Sequence, residues 1–157
     1  MKIKYFFCFK EDKRSSMDML ANFISIGQKK FKKNQIFNII PKPFLPKFLI
    51  SLNFFMRFER YITYPIKSFL TVRTDIAHVI DHSYSHLVNF LNAKKKIVTI
   101  NDLIPIIFQK KLNKKFLLFK YSISKIKNFD HIIALSNQSK KDLIKFTKIN
   151  ENKITVI

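Results

Sequence analysis

The chain has a single glycine, Gly27, in 157 residues, and that alone removes several functions. Neither a G-x-G-x-x-G dinucleotide fingerprint nor a Walker-type loop can be written with one glycine, because each needs several positions where the backbone closes on a phosphate. Cysteine is equally scarce. Cys8 alone excludes an internal disulfide framework and a thiolate metal cage. Four histidines without carboxylates or thiols at ligand spacing argue against a metal centre, so neither metal nor cofactor is expected. Long apolar runs are missing too. The longest uncharged apolar stretch near the middle, Phe48 to Met56, falls far short of the roughly 20 residues a spanning helix needs. At the amino terminus Lys2 and Lys4 are followed by only five uncharged residues before Lys10, and no small-residue cleavage site follows. That is not a secretory signal, and a cytoplasmic location is expected.

Acidic residues are few: 10 against 30 basic ones, for a formal net charge of +20. The excess is spread along the chain. Residues 1–74 hold 15 basic and 4 acidic side chains, and residues 75–157 hold 15 and 6. Lysine dominates, alongside abundant Asn, Ile and Phe, all residues with AT-rich codons, so base composition accounts for part of the bias. A nucleic-acid module more often gathers its charge on one element, with Arg at the reading positions. Nucleic acid is therefore a poor fit, whereas attraction to an anionic membrane surface needs only net charge.

With 47% hydrophobic residues the chain has material for one domain, burying roughly two-thirds of its unfolded surface. Apolar runs at Lys2–Phe9, Gln35–Ile40, Asp75–Asp81, Ile97–Ile100, His131–Leu135 and Lys153–Ile157 read as strands. Between them, Met17–Phe31, Phe48–Thr71, the stretch from Ser83, Lys114–Asn128 and the stretch from Ser139 carry helical spacing. Ser83 is a plausible N-cap for a helix with Tyr84, Leu87, Val88 and Leu91 along one stripe, and Ala93–Lys96 reads as a basic connection. Pro41, Pro43 and Pro46 predict a rigid surface loop, and Pro65 starts or kinks a helical segment. The aromatic, basic stretch Phe48–Thr71 has the composition of a helix that lies on a membrane interface. Strands alternating with helices predict an α/β fold: a parallel sheet of about six strands with helices on both faces.

In such a sheet, ligands bind beyond the carboxyl ends of the strands. Two runs there end in polar clusters, one on Asp81, His82 and Ser83 and the other on Asn101 and Asp102. The segments HVIDHSYSHL, IVTINDLIP, FDHIIALSNQSKKDLIKF and ENKITVI resemble the amino-terminal domain of family 4 glycosyltransferases, enzymes of the two-domain GT-B architecture. The resemblance covers about residues 75–157. Arg14-Ser15-Ser16-Met17, opening a helix after the first strand, is similar to the family's acceptor-side loop. It implies a Rossmann-like half of a GT-B enzyme, residues 1–157, that binds the acceptor. A separate nucleotide-sugar domain, not contained in these residues, supplies the donor.

The implied activity is transfer of a sugar from a nucleotide-sugar donor to a lipid, lipopolysaccharide or polysaccharide acceptor of the cell envelope. It would occur at the inner face of the membrane. The catalytic candidates are His82, Asn101 and Asp102; the acceptor-binding candidates are Arg14, Ser15, Ser16 and Asp81. His82 suits a group that takes a proton from an acceptor hydroxyl. Asn101 stands where the family carries histidine; asparagine can hydrogen-bond but cannot exchange that proton. Histidines 78, 86 and 131 read as core or strand residues, and Ser136 and Ser139 as helix caps. The competing expectation is a non-catalytic remnant or a basic membrane-surface or binding module.

Overall fold

In a computed structural model, the described residues are 1–31, 33–44, 53–108 and 114–157; the side chains of Ser15, Lys29, Asn53, Phe108, Lys114 and Lys115 are not described. Six strands form one all-parallel sheet: β1 (Lys2–Phe6), β2 (Gln35–Ile39), β3 (Thr74–Val79), β4 (Ala93–Ile100), β5 (His131–Ala134) and β6 (Ile154–Val156), in the order β2-β1-β3-β4-β5-β6. Among the described residues six α-helices accompany them: α1 (Ser15–Lys29), α2 (Asn53–Phe58), α3 (Tyr64–Phe69), α4 (Ile104–Phe108), α5 (Lys114–Ser124) and α6 (Asn137–Thr147). The expected Rossmann-like α/β fold is the one observed. Pro46 and residues 45–52 lie outside the described residues.

The chain leaves β1 toward β2, then returns across β1 to β3 and continues in that direction to β6. Right-handed crossovers put α1 on one face of the sheet and the later connections on the other. Burial follows this division. On the face crowded by the later connections, Phe6, Ala77, Val79, Val98, Ile100, Ile132 and Ala134 are fully buried. Their neighbours on the α1 face are less covered: Ile76, Ile97, His131 and Ile133 are half-buried. Two polar pairs cross that face, His78 Nε2 with Thr99 Oγ1 at 2.8 Å and His131 Nε2 with Thr155 Oγ1 at 2.9 Å. His78 is thus a satisfied core histidine.

Two segments depart from expectation. The stretch after β3 is a 3-10 segment (His82–Phe90) rather than an α-helix, and its cap is Asp81 rather than Ser83. Asp81 is extended, and its carboxylate accepts the Ser83 N–H at 2.7 Å. His82 to Val88 are all buried, so the segment has no single apolar stripe. Ser85 Oγ donates to the His82 carbonyl at 2.6 Å, and His86 is held at both ring nitrogens. Tertiary partners therefore replace helix geometry. Secondly, Ala93–Lys96 is not a connection but the first half of β4, in register with β3 from Thr74 opposite Ala93. Lys94 and Lys95 are drawn into the strand edge by Asp75 at 2.8 Å and Asp130 at 3.3 Å.

Between α2 and α3 runs a π-helical turn, Glu59–Thr63, so Asn53–Phe69 is helical throughout. Pro65 explains the turn. It has no N–H to donate, which strands a carbonyl one turn earlier. The Arg60 carbonyl accepts instead from His86 Nε2 at 3.0 Å. That fixes the His86 tautomer: Nε2 carries the proton, and Nδ1 accepts from Ser122 Oγ at 3.0 Å. Ser122 in turn receives the Tyr61 hydroxyl at 3.4 Å.

Burial lowers the imidazoles of His78 and His86 to about 4. The folded pKa lies below the unfolded value, so this stability is present above about pH 6.5 and lost as pH falls toward 4. The expected loss is about 2 kcal/mol per histidine by pH 5 relative to pH 7. Urea unfolding at the two pH values measures it. A His86→Gln variant that steepens rather than flattens the dependence contradicts the assignment.

Candidate functional site

The strand order reverses between β1 and β3, and the crevice outside their carboxyl ends is where open α/β sheets bind ligands. The polar residues gather at that reversal. Past β1 the chain makes a 3-10 turn (Lys10–Asp12), then Lys13 in the left-handed region, which turns Arg14 back over the strand ends. Past β3 it delivers Asp81 and His82 to the same place.

Asp81 is 1% exposed. Its Oδ2 accepts from Arg14 at 2.6 Å and from the Cys8 thiol at 3.6 Å, while Oδ1 takes the Ser83 N–H. Burial alone would raise the carboxyl; the His82 ring, the Arg14 guanidinium and the Ser83 bonds outweigh it and hold the group at about 2. Burial together with the Asp81 charge pushes the Cys8 thiol far up, so it is a weak donor and not a nucleophile.

His82 is also buried, with Nδ1 3.8 Å from Asp81 Oδ1, too long for a hydrogen bond. Nδ1 has no hydrogen-bond partner among the described residues. The ring edge meets Phe119 of α5 at a centroid distance of 5.7 Å. Burial lowers its pKa; Asp81 and Asp102 oppose the shift, and Arg14 and Arg60 reinforce it. His82 is accordingly held toward the neutral imidazole at neutral pH.

A second ion pair, absent from the sequence-derived candidates, underlies the first. Arg60, on the π turn, reaches Asp12 at 3.2 Å, the Ser83 carbonyl at 3.0 Å and the Ser83 hydroxyl at 2.6 Å. Its guanidinium lies 4.1 Å above the Tyr84 ring. The Tyr84 hydroxyl donates to Asp12 and accepts the Phe9 N–H at 3.1 Å. Asp18, on the first turn of α1, has its carboxyl raised by burial, with Asp81 and Asp12 adding to the effect and Lys10 opposing it. Arg60 Nε is buried without a partner among the described residues. The available signal was an Asp two positions before Arg14 in the loop after β1, with an Arg in the aromatic segment before β3.

The expected site residues thus divide. Arg14, Asp81 and His82 come together. Ser16 is exposed on the first turn of α1, and Ser15 opens that helix. Asn101 is exposed beyond β4, and its carbonyl accepts from Ser139 Oγ, tying α6 to that strand end. Asp102 caps α4: its Oδ1 accepts the Ile104 N–H at 3.1 Å, which leaves Oδ2 for other work. Ser136 caps α6 by accepting the Ser139 N–H at 3.0 Å. Among the described residues no group of three or more His, Cys, Asp or Glu side chains is placed to hold a metal ion.

An open hollow of about 500 Å³ lies at the other end of the sheet, beside Lys2, Lys33, Arg73, Asp75 and Lys94. Asp75 there is already engaged by Lys94 and by the Lys2 N–H. The ion-pair cluster lies at the opposite end of the sheet from this hollow, and it marks the candidate site. No protein-family model matches the chain, and no curated protein matches it.

Replacing Tyr84 by Phe removes the hydroxyl between Asp12 and the buried Phe9 N–H. A loss of about 1–3 kcal/mol is expected, read as a lower urea midpoint with unchanged slope. A neutral result would mean that the Phe9 N–H finds another partner.

Proposed function

We propose that this chain is the acceptor-binding half of a GT-B glycosyltransferase, acting with a nucleotide-sugar-binding domain. In this reading the acceptor is a lipid, lipopolysaccharide or polysaccharide at the cytoplasmic face of the membrane. The observation that carries the reading is His82, held toward the neutral imidazole beside the Asp81–Arg14 pair at the switch point. Sugar transfer needs a hydroxyl to lose its proton as it attacks the donor's anomeric carbon. A neutral imidazole can take that proton, and the imidazolium so formed faces the Asp81 carboxylate. Asp102 reinforces it through space from the end of β4. Asn101, exposed at the same rim, positions the acceptor by hydrogen bonding. Arg14, whose side chain is 35% exposed although its partner is buried, offers its remaining N–H groups to acceptor hydroxyl or phosphate groups, with Ser16 on the following helical turn. No metal enters the proposal.

The chain alone should bind a glycan or glycolipid acceptor and should not retain a nucleotide sugar, as followed by calorimetry. Retention of nucleotide sugar, or failure of every envelope glycan and glycolipid to bind, sinks the reading. Combined with its donor-binding domain, the His82→Gln variant is expected to transfer about 10²- to 10⁴-fold more slowly with acceptor binding kept. The wild-type rate should stay level as pH falls through the ordinary imidazole value of 6.5 and decline only below it, because burial depresses His82. A midpoint above 6.5 would exclude His82 as the base.

A further inference from the structure

The helical stretch from Asn53 to Phe69 has a used face and an unused one. The used face is inside: Glu59, Tyr64 and Ser68 are fully buried, and Arg60 reaches into the site. On the opposite side, Phe54, Phe58, Ile62, Ile66 and Leu70 recur at every fourth position, each between 40% and 74% exposed. In a helix of about 3.6 residues per turn, a four-residue spacing drifts around the axis. The wider π turn at Glu59–Thr63 offsets part of that drift, which keeps the five exposed side chains on the outer side of the helix. Exposed apolar surface this continuous marks a docking face.

Charge selects the occupant. Between residues 53 and 73 the sole carboxylate is Glu59, which is fully buried. The cations Lys67 and Arg73 are exposed near the end of the stripe, and the Lys67 ammonium leans back on the Lys42 carbonyl at 2.9 Å. The whole chain carries +20, so a second copy would be repelled from this face, while an anionic lipid surface would be drawn to it. Among the described residues no helix is long and apolar enough to cross a membrane, which leaves lying in the interface as the way to bury the stripe. We propose that the outer face of Asn53–Phe69 docks this protein on anionic bilayers, with the Phe54–Leu70 stripe in the acyl boundary and Lys67 and Arg73 at the headgroups. The proposal rests on the outer face alone and holds whether or not the site transfers sugar.

The chain has no tryptophan, so a single introduced one is a clean reporter. Ile66→Trp on the stripe and Phe23→Trp on α1, across the sheet, are mixed with phosphatidylcholine vesicles with and without phosphatidylglycerol, both carrying bromine-labelled acyl chains. The expected result is quenching of Ile66→Trp only on the anionic vesicles, with Phe23→Trp unquenched. In sedimentation, Ile62→Asp with Ile66→Asp should lower partitioning about tenfold or more, with the circular dichroism unchanged because both sites are exposed. Absence of binding to anionic vesicles overturns the proposal. So does binding that the double substitution leaves intact, which would mean diffuse attraction to lysines. Equal quenching of both reporters overturns it, as does a dimer in solution that the double substitution dissolves. None of these readouts depends on sugar transfer, so they separate this proposal from the enzymatic one.

Discussion

The Asp81–Arg14 pair is the contact on which the site depends. A carboxylate 1% exposed is tolerable only if its charge is matched and its lone pairs are occupied. Asp81 satisfies both conditions with partners from different parts of the chain: Arg14 from the loop after β1, Cys8 from the strand end, and the Ser83 N–H from its own turn. Holding Arg14 over the strand ends requires the backbone to double back after β1, which is what Lys13 in the left-handed region does. The two loops flanking the switch point are thereby fixed to one another. The second pair, Arg60 with Asp12, ties the same loop after β1 to the π turn before β3. In a chain with only ten carboxylates, spending Asp12, Asp18 and Asp81 in one place is the clearest sign that this place matters.

The π turn serves the inside and the outside of the molecule together. Pro65 removes a helical donor; the stranded carbonyl of Arg60 accepts from His86 in the core; and the widened turn aims the Arg60 side chain at Asp12 and Ser83. Without the extra residue in that turn, Arg60 and the outer stripe would lose their common phase. π turns recur at functional positions because they shift one side chain without ending the helix.

How much of this was legible in the sequence depended on whether local or distant groups satisfy each residue. The strands were legible because a parallel sheet buries its strands on both faces and leaves plain apolar runs. The positions of Asp81, His82, Asn101 and Asp102 followed, since strand ends locate polar clusters without knowledge of side-chain contacts. The 3-10 segment was not legible. Tyr84, Leu87, Val88 and Leu91 fit helical spacing, but Ser83 before them and Ser85 and His86 among them are buried as well, with partners that include Arg60 and Ser122, distant in sequence. Asp12, Arg60 and Tyr84 were missed for the same reason: each reads as a solvated or core residue until the fold brings them together. Lys94 and Lys95 misled in the opposite sense, because a basic run reads as a loop unless Asp75 and Asp130 are known to stand across the strand edge.

The two faces of Asn53–Phe69 also connect the site to its surroundings. Arg60 and Ile62 sit two positions apart on the π turn, one directed at the ion-pair cluster and the other at solvent. A lipid surface against the stripe would therefore lie one helix diameter, roughly 10 Å, from the Asp12–Arg60 pair. An acceptor anchored by a hydrocarbon tail could keep that tail in the bilayer while its polar head reached Arg14 and His82 without leaving the interface. A freely soluble acceptor would gain nothing from that proximity. If the stripe is a membrane face and the site takes an acceptor as proposed, a lipid-linked acceptor suits it best, because the helix that orders the site is the one that would rest on the membrane.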